Sequence, residues 1–280
     1  MALLLAYLFH SAAHHYYYRY QLTALQLAPE LESIQPRWAL ERLPEERLAQ
    51  LLAQPFDYLG SGAQSVAFVS RDGRWVLKLL HYKLVNPPPW LFLVERLRWN
   101  KRRTSRLDEL RNQFEAYRLV AAASPELAGI VHLDFRLGDA PHRLVSVYDR
   151  MGFHHRLDLS RLSWLLQERL VAAEGRIRQQ LIDGETEAAN SSLAAIDQLI
   201  VKEGQLGLYD RDKGMIHNTG FDPQGQLRHF DIGCLLPLPE GAEGEKLLAE
   251  HRSAVAERLR RWLKEKAPQG HQRLRRDNSL

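Results

Sequence analysis

A chain of 280 residues with 45% apolar and 26% charged side chains has the make-up of a globular protein, long enough for one two-lobed domain or two small ones, which excludes a disordered chain. Its single cysteine, Cys234, excludes a disulfide framework and gives no reason to place the fold in an oxidising compartment. The net charge of +4 is mild, but nine Lys/Arg against three Asp/Glu between His251 and Leu280 concentrate it in the tail.

In chain order, Ala2–Phe9 is an apolar run too short to span a bilayer, and no basic residue precedes it, so it makes a poor secretory signal. His14 to Tyr18 reads as part of a packed amphipathic helix, with an interfacial belt or a metal-binding tract as alternatives. The expected compartment is the cytoplasm, with membrane association through this apolar stretch as the alternative. Pro29–Gln54 gives one or two amphipathic helices, with Pro44-Glu45-Glu46 as a first turn. Phe56–Leu59 and Val66–Ser70 read as strands joined by Gly60-Ser61-Gly62-Ala63-Gln64-Ser65, and Asp72-Gly73 turns the chain into a third strand, Trp75–Leu80. Lys78 closes that apolar strand, an awkward core residue unless something anionic meets it.

A basic insert over 86–106 follows. Between Trp90 and Arg111 it carries seven Lys/Arg and three acids, a solvated helix or a weak docking surface for polyanions. Nucleic acid ranks last among partners, because Lys and Arg are common on solvated surfaces. Leu107, Leu110, Phe114 and Tyr117 recur at helical spacing, so Arg106–Ala123 is an amphipathic helix. Ile130–Phe135 and Leu144–Tyr148 complete a five-stranded antiparallel sheet. From Asp158 the stripe Leu162, Leu165, Leu166, Leu170, Ala173 and Ile177 predicts a helix, and Ser191–Gly204 a second one with Gly204 as its C-terminal cap.

The chemistry is concentrated between Leu208 and Gly233. Phe221–Asp231 reads as a hairpin turning at Asp222-Pro223-Gln224-Gly225, which folds its two ends together and brings Asn218 near Asp231. An amide oxygen and a carboxylate at a hairpin mouth suit a hard cation such as Mg²⁺, which also keeps waters and substrate phosphates. Cys234, just beyond, reads as a small packing residue. A long helix over about Ala242–Lys266 and a basic tail over 267–280 end the sequence.

This stretch resembles the catalytic loop and metal-binding segment of the protein-kinase-like phosphotransferases. Asp231-Ile232-Gly233 stands in the place of D-F-G, and Asn218 lies thirteen positions before it. Gly60-Ser61-Gly62-Ala63-Gln64-Ser65 is similar to the glycine-rich loop with its third glycine replaced by Ser65, and Val76-Leu77-Lys78 is similar to V-A-I-K. The resemblance covers roughly Phe56 to Gly233 and is to an atypical, minimal member of the superfamily, with no recognisable A-P-E segment and no assignable subfamily.

What the resemblance implies is an α+β, two-lobed kinase-like fold. It has an N-terminal helical extension (1–55), an N-lobe with a five-stranded antiparallel sheet (56–152) and a reduced helical C-lobe (153–266). ATP and Mg²⁺ are the implied cofactors. Gly60, Ser61 and Gly62 would cover the phosphates, Lys78 would hold them, and Glu115 (Glu109 as the alternative) would position Lys78. Tyr148, Asp149 and Met151 would form the hinge that reads the adenine, and Asn218 and Asp231 would carry the metal. Asp212 would be the base, although it lies six positions before Asn218 rather than five, with Asp210 the other candidate. The implied activity is phosphate transfer to an unknown hydroxyl acceptor, on a small molecule or a protein. The competing reading is a pseudokinase, a nucleotide-binding interaction module without catalysis.

Overall fold

The computed structural model describes residues 25, 33–82, 85, 96–266 and 268, and for 96–103 the backbone alone. The readings of 1–24, of the insert up to residue 95 and of the tail beyond 268 lie outside the described residues. The chain divides into two compact units, one formed by residues up to Glu109 and by Ile130–Arg169, the other by Leu110–Gly129 and Leu170–Leu280. Among the described residues no helix is long and apolar enough to cross a membrane.

Among the described residues, the first unit is built on one mixed sheet of eight strands. These are β1 (Ala39–Glu41), β2 (Phe56–Ser61), β3 (Ser65–Ser70), β4 (Trp75–Leu80), β5 (Ile130–Asp134), β6 (Leu144–Tyr148), β7 (His154–Asp158) and β8 (Trp164–Glu168). Their order across the sheet is β1-β5-β8-β4-β3-β2-β6-β7. This corrects the expected five-stranded antiparallel sheet, since there are eight strands and β6 runs parallel to β2. Local turn chemistry fixes the hairpins: Gly73 takes φ +73°, and Asp72 accepts hydrogen bonds from the Ser70 hydroxyl at 2.6 Å and the Arg74 amide at 3.1 Å.

A second correction concerns Trp164–Glu168, expected inside a helix. It is β8, a central strand paired antiparallel with both β4 and β5. Trp164, Leu165, Leu166 and Gln167 are all buried, so both faces of the strand are covered. Such a strand shows a continuous apolar run instead of alternation, and here its leucines coincide with a helical stripe. Asp158 does cap a short turn, accepting from the Ser160 amide at 3.1 Å.

The expected hinge at Tyr148–Gly152 is a third correction. Tyr148 ends β6, Asp149–Gly152 lie in the turn of the antiparallel β6–β7 hairpin, and the chain passes to the second unit for the last time at Arg169–Leu170 instead. The Asp149 carboxylate accepts the amides of Met151 and Phe153, each at 2.9 Å, and faces His155 Nε2 at 2.8 Å.

Helix α1 (Glu45–Leu52), opened by Pro44 with two acids in its first turn, carries Leu48, Leu51 and Leu52 into the core beside Phe56, Phe68, Leu77, Trp164 and Leu166. Each such leucine contributes about 1.5–3 kcal/mol. His132 of β5 lies in this core, 1% exposed, its ring stacked on Trp164 at 4.7 Å, with neither ring nitrogen hydrogen-bonded. Burial, against the pull of Asp134, holds its pKa down at about 4. A folded-state value below the ordinary 6.5 means a stability contribution that is present above pH 6.5 and lost as pH falls towards 4. The expected loss from this one ring is roughly 3 kcal/mol by pH 4. His132→Phe keeps the stack and removes the titration, so its urea midpoint should decline less between pH 7 and 4 than that of the wild type. Superimposable acid limbs would contradict this.

The second unit is helical with short strands. Helix α2 (Arg96–Ala123) enters it from Leu110 onward, and α3 (Ala173–Asp183), α4 (Thr186–Gln205), α5 (Met215–Asn218) and α6 (Gly241–Lys266) follow. Strands β9 (Val171–Ala172), β11 (Thr219–Phe221) and β12 (Leu227–His229) form one small sheet, and β10 (Leu208–Asp210) and β13 (Leu235–Pro237) another. Gly204 does not cap α4 but lies within it. A Cβ there would come within 2.5 Å of Leu248 on α6, and Gly207, at φ +72°, makes the turn. The close approach of the Leu248 side chain, not end chemistry, accounts for this glycine.

Candidate functional site

The hairpin expected around Asp222 is present. Asp222 Oδ1 accepts the amides of Gln224 at 3.0 Å and Gln226 at 2.8 Å, Gly225 takes φ +79°, and Arg228 grips the other carboxylate oxygen. Strands β11 and β12 pair with Thr219 opposite His229. That register has a consequence just outside the strands, where the amides of Phe230 and Asp231 point at the Asn218 carbonyl, at 3.0 and 3.3 Å. Asn218 and Asp231 are thereby joined through their backbones at the hairpin mouth.

Asp212 joins them from the preceding loop. Its Oδ1 accepts the Gly214 amide at 2.8 Å, and its Oδ2 accepts the Asn218 side-chain amide at 3.0 Å. A carboxylate has no hydrogen to donate, so the nitrogen end of Asn218 faces Asp212 and the amide oxygen is left to accept elsewhere. Asn218 and Asp212 are half-buried and Asp231 is exposed. The short helix α5 that presents Asn218 is closed by the Thr219 hydroxyl donating to the Met215 carbonyl at 2.6 Å. It is also held from α3, where Glu174 bonds His217 at 2.9 Å and the Trp262 indole at 3.0 Å.

Asp210 is a different kind of residue. It is 1% exposed, its Oδ1 accepts the Asp212 amide at 2.8 Å, and its Oδ2 lies 3.5 Å from His229 Nε2. Burial pushes its pKa up to about 6 against the pull of His229. On its other side, His229 Nδ1 meets Glu203 Oε1 of α4 at 2.8 Å. Burial alone would disfavour a charge on His229, but Glu203, Asp210 and Asp231 outweigh it and hold the pKa at about 9. His229 and Glu203 escaped the sequence reading. The only signal was a histidine two positions before the Asp231 segment, and nothing local ties it to a glutamate twenty-six residues away. Tyr117 of α2, buried and hydrogen-bonded by Gln113, has its phenol pushed up by burial first and by the Asp231 charge second.

As a metal centre the set is sparse. Among the described residues no group of three His, Cys, Asp or Glu is arranged to hold a metal ion. One carboxamide oxygen and one carboxylate match the demand of Mg²⁺, which binds through one or two protein oxygens and completes its shell with water and phosphate.

Of the other expected site residues, the first unit carries Lys78, Gly60, Ser61, Gly62, Tyr148, Asp149 and Met151, and the second carries Glu115. Lys78 is buried on β4, between Ala67 of β3 and Leu165 of β8. The Gly62 amide donates to the Ser65 carbonyl at 2.9 Å, and His81 Nε2 sits 3.1 Å from the Gly62 carbonyl. Neither Gly60 nor Gly62 has a left-handed φ, and a Cβ on either would meet nothing within 4 Å among the described residues. Tyr148 ends β6, and Asp149 and Met151 lie in the β6–β7 turn. Glu115, in the second unit, has both carboxylate oxygens on Arg118 one turn along α2, at 2.5 and 2.8 Å.

No protein-family model matches the sequence, and no curated protein matches it. Among solved structures, one of WbdD is 12% identical over 71% of this chain and 36% of its own, with a TM-score of 0.37. Another, described as the bifunctional kinase-methyltransferase WbdD, is 13% identical over 69% and 34%, with a TM-score of 0.35. The complex of Rv3197 with erythromycin, from Mycobacterium tuberculosis, is 17% identical over 76% and 57%, with a TM-score of 0.37. The chain thus spans about a third of the length of the WbdD chains and just over half that of Rv3197. At these TM-scores the likenesses carry no argument about chemistry.

Proposed function

We propose that the chain is an ATP- and Mg²⁺-dependent phosphotransferase acting on a hydroxyl acceptor. The observation that carries this reading is the meeting of Asp212, Asn218 and Asp231, with the Asn218 amide turned so that its oxygen is available as a ligand. In this reading Asn218 and Asp231 hold Mg²⁺, and Asp212 orients the attacking hydroxyl or accepts its proton. Lys78 holds the α- and β-phosphates. Gly60, Ser61 and Gly62 lie over them, where glycine lets backbone amides approach phosphate oxygens without side-chain obstruction. Phosphoryl transfer depends on such positioning and charge neutralisation more than on covalent chemistry by the protein.

One observation favours the second reading, a nucleotide-binding module without turnover: the Glu115 carboxylate is taken up by Arg118, so it must change partner before it can position Lys78. Both readings require nucleotide. ATP with Mg²⁺ is expected to raise the thermal midpoint by several degrees at about a hundred times its Kd, a stabilisation of about 2.7 kcal/mol, and the rise should shrink when EDTA replaces Mg²⁺. A midpoint indifferent to millimolar ATP in folded protein would remove both. Transfer of the γ-phosphate to water or to an added alcohol then separates enzyme from module.

A further inference from the structure

The buried chain Glu203–His229–Asp210 has no part in holding nucleotide or metal, yet its side chains are only 1%, 0% and 1% exposed. Taking three ionisable groups out of water costs stability, and an apolar cluster of the same volume generally does as well or better. The arrangement is also incompletely satisfied. Glu203 Oε2, Asp210 Oδ2, His229 Nε2 and His251 Nε2 of α6 are buried without a hydrogen-bond partner. The 3.5 Å approach of His229 to Asp210 is an attraction between charges and not a formed hydrogen bond. Stability therefore does not account for the chain.

Its placement does. Asp210 Oδ1 is the acceptor for the Asp212 amide, so whatever fixes Asp210 fixes the backbone of the proposed base. His229 ends β12, and the two residues after it donate their amides to Asn218. One imidazole thus stands between the loop that carries Asp212 and the strand end that carries Asp231. Building on the phosphotransferase reading, we infer that His229 is a positioning residue, held by Glu203, whose Nε2 edge keeps Asp210 under the Asp212 amide and so sets the base against the Asn218–Asp231 pair.

The two ring edges can be tested apart in the full chain. In His229→Asn the side-chain amide reproduces the Nδ1 edge towards Glu203, and in His229→Gln it reproduces the Nε2 edge towards Asp210. Amide hydrogen exchange at Asp212 is expected to speed up at least tenfold in His229→Asn and less in His229→Gln, while Phe221 and Leu227 in the hairpin keep their protection. With ATP·Mg²⁺, kcat should fall about 10- to 100-fold in His229→Asn with KM for ATP within about threefold, and His229→Gln should recover part of the loss. The opposite order of the two variants, or unchanged exchange at Asp212 in both, overturns the inference. If neither variant folds, Glu203→Gln loosens the hold on His229 Nδ1 while leaving Asp210, the acceptor of the Asp212 amide, untouched. Faster Asp212 exchange in that variant supports the inference and unchanged exchange overturns it. Exchange needs no turnover, so the two readings fail separately. A wild type without transfer whose Asp212 amide still responds to His229 sinks the phosphotransferase and leaves the loop-holding role.

Discussion

Asp231→Asn is expected to lower the Mg²⁺-dependent affinity for ATP by roughly two orders of magnitude while the fold persists. The carboxylate is exposed, and its backbone amide, which donates to the Asn218 carbonyl, survives the substitution, so the hairpin mouth should keep its shape. On the proposed reading, what is lost is one negative charge among the ligands of a hard cation, the property such a site depends on. Asp212→Asn should behave differently. Its present carboxylate accepts from both the Gly214 amide and the Asn218 side chain, and a carboxamide can accept from only one of them. If it keeps Gly214, its NH₂ faces the NH₂ of Asn218, and Asn218 must turn its oxygen towards residue 212 and away from the proposed metal position. The expected result is a loss of phosphate transfer of ~10²–10⁴-fold, as for a removed base, together with weaker Mg²⁺-dependent binding. Asp231→Asn should affect binding first. Calorimetric titration of ATP with and without Mg²⁺, beside transfer rates, separates the two patterns. Wild-type affinity and turnover in both variants would remove Asp212 and Asp231 from the site.

These side chains were legible because their geometry is local. The Asp222–Gly225 turn and the thirteen-residue interval force Asn218 and Asp231 together whatever the rest of the chain does, just as Asp72-Gly73 forces β3 against β4. Helix α6 was equally readable, extending from Gly241 to Lys266 where a long helix from about Ala242 was expected. What local sequence does not encode is which distant segment lies alongside. Trp164–Glu168 carries leucines at spacings that suit a helix, and only pairing with β4 and β5 makes it a strand. The β6–β7 hairpin reads as a link between lobes until His154–Asp158 is seen to fold back on Leu144–Tyr148. The buried chain from Glu203 through His229 to Asp210 was out of reach for the same reason, since its members come from a helix and two strands that tertiary packing alone brings together.

Trp164→Ala tests the placement that the sequence concealed. The indole is 1% exposed at the start of β8, in the cluster that also holds Leu48, Phe56, Phe68 and Leu77, and its ring stacks on His132 at 4.7 Å. Removing it forfeits the transfer energy of a large aromatic and leaves a cavity beneath α1 that the sheet cannot close without moving β4 or β5. The expected cost is about 3–5 kcal/mol, a large share of the stability of an ordinary domain. A second effect follows from the stack. With the indole gone, water reaches His132, the burial that holds its pKa near 4 is relieved, and the value should climb back towards the ordinary 6.5. The variant is therefore expected to be much less stable at pH 7 yet to lose less further stability on acidification. A surface tryptophan on a helix would show neither effect. Urea unfolding at pH 7 and pH 5, with the His132 ring followed by NMR titration, measures both. A loss below about 1 kcal/mol, or an unmoved His132 titration, would mean that Trp164 is not seated on that ring in the core of the first unit.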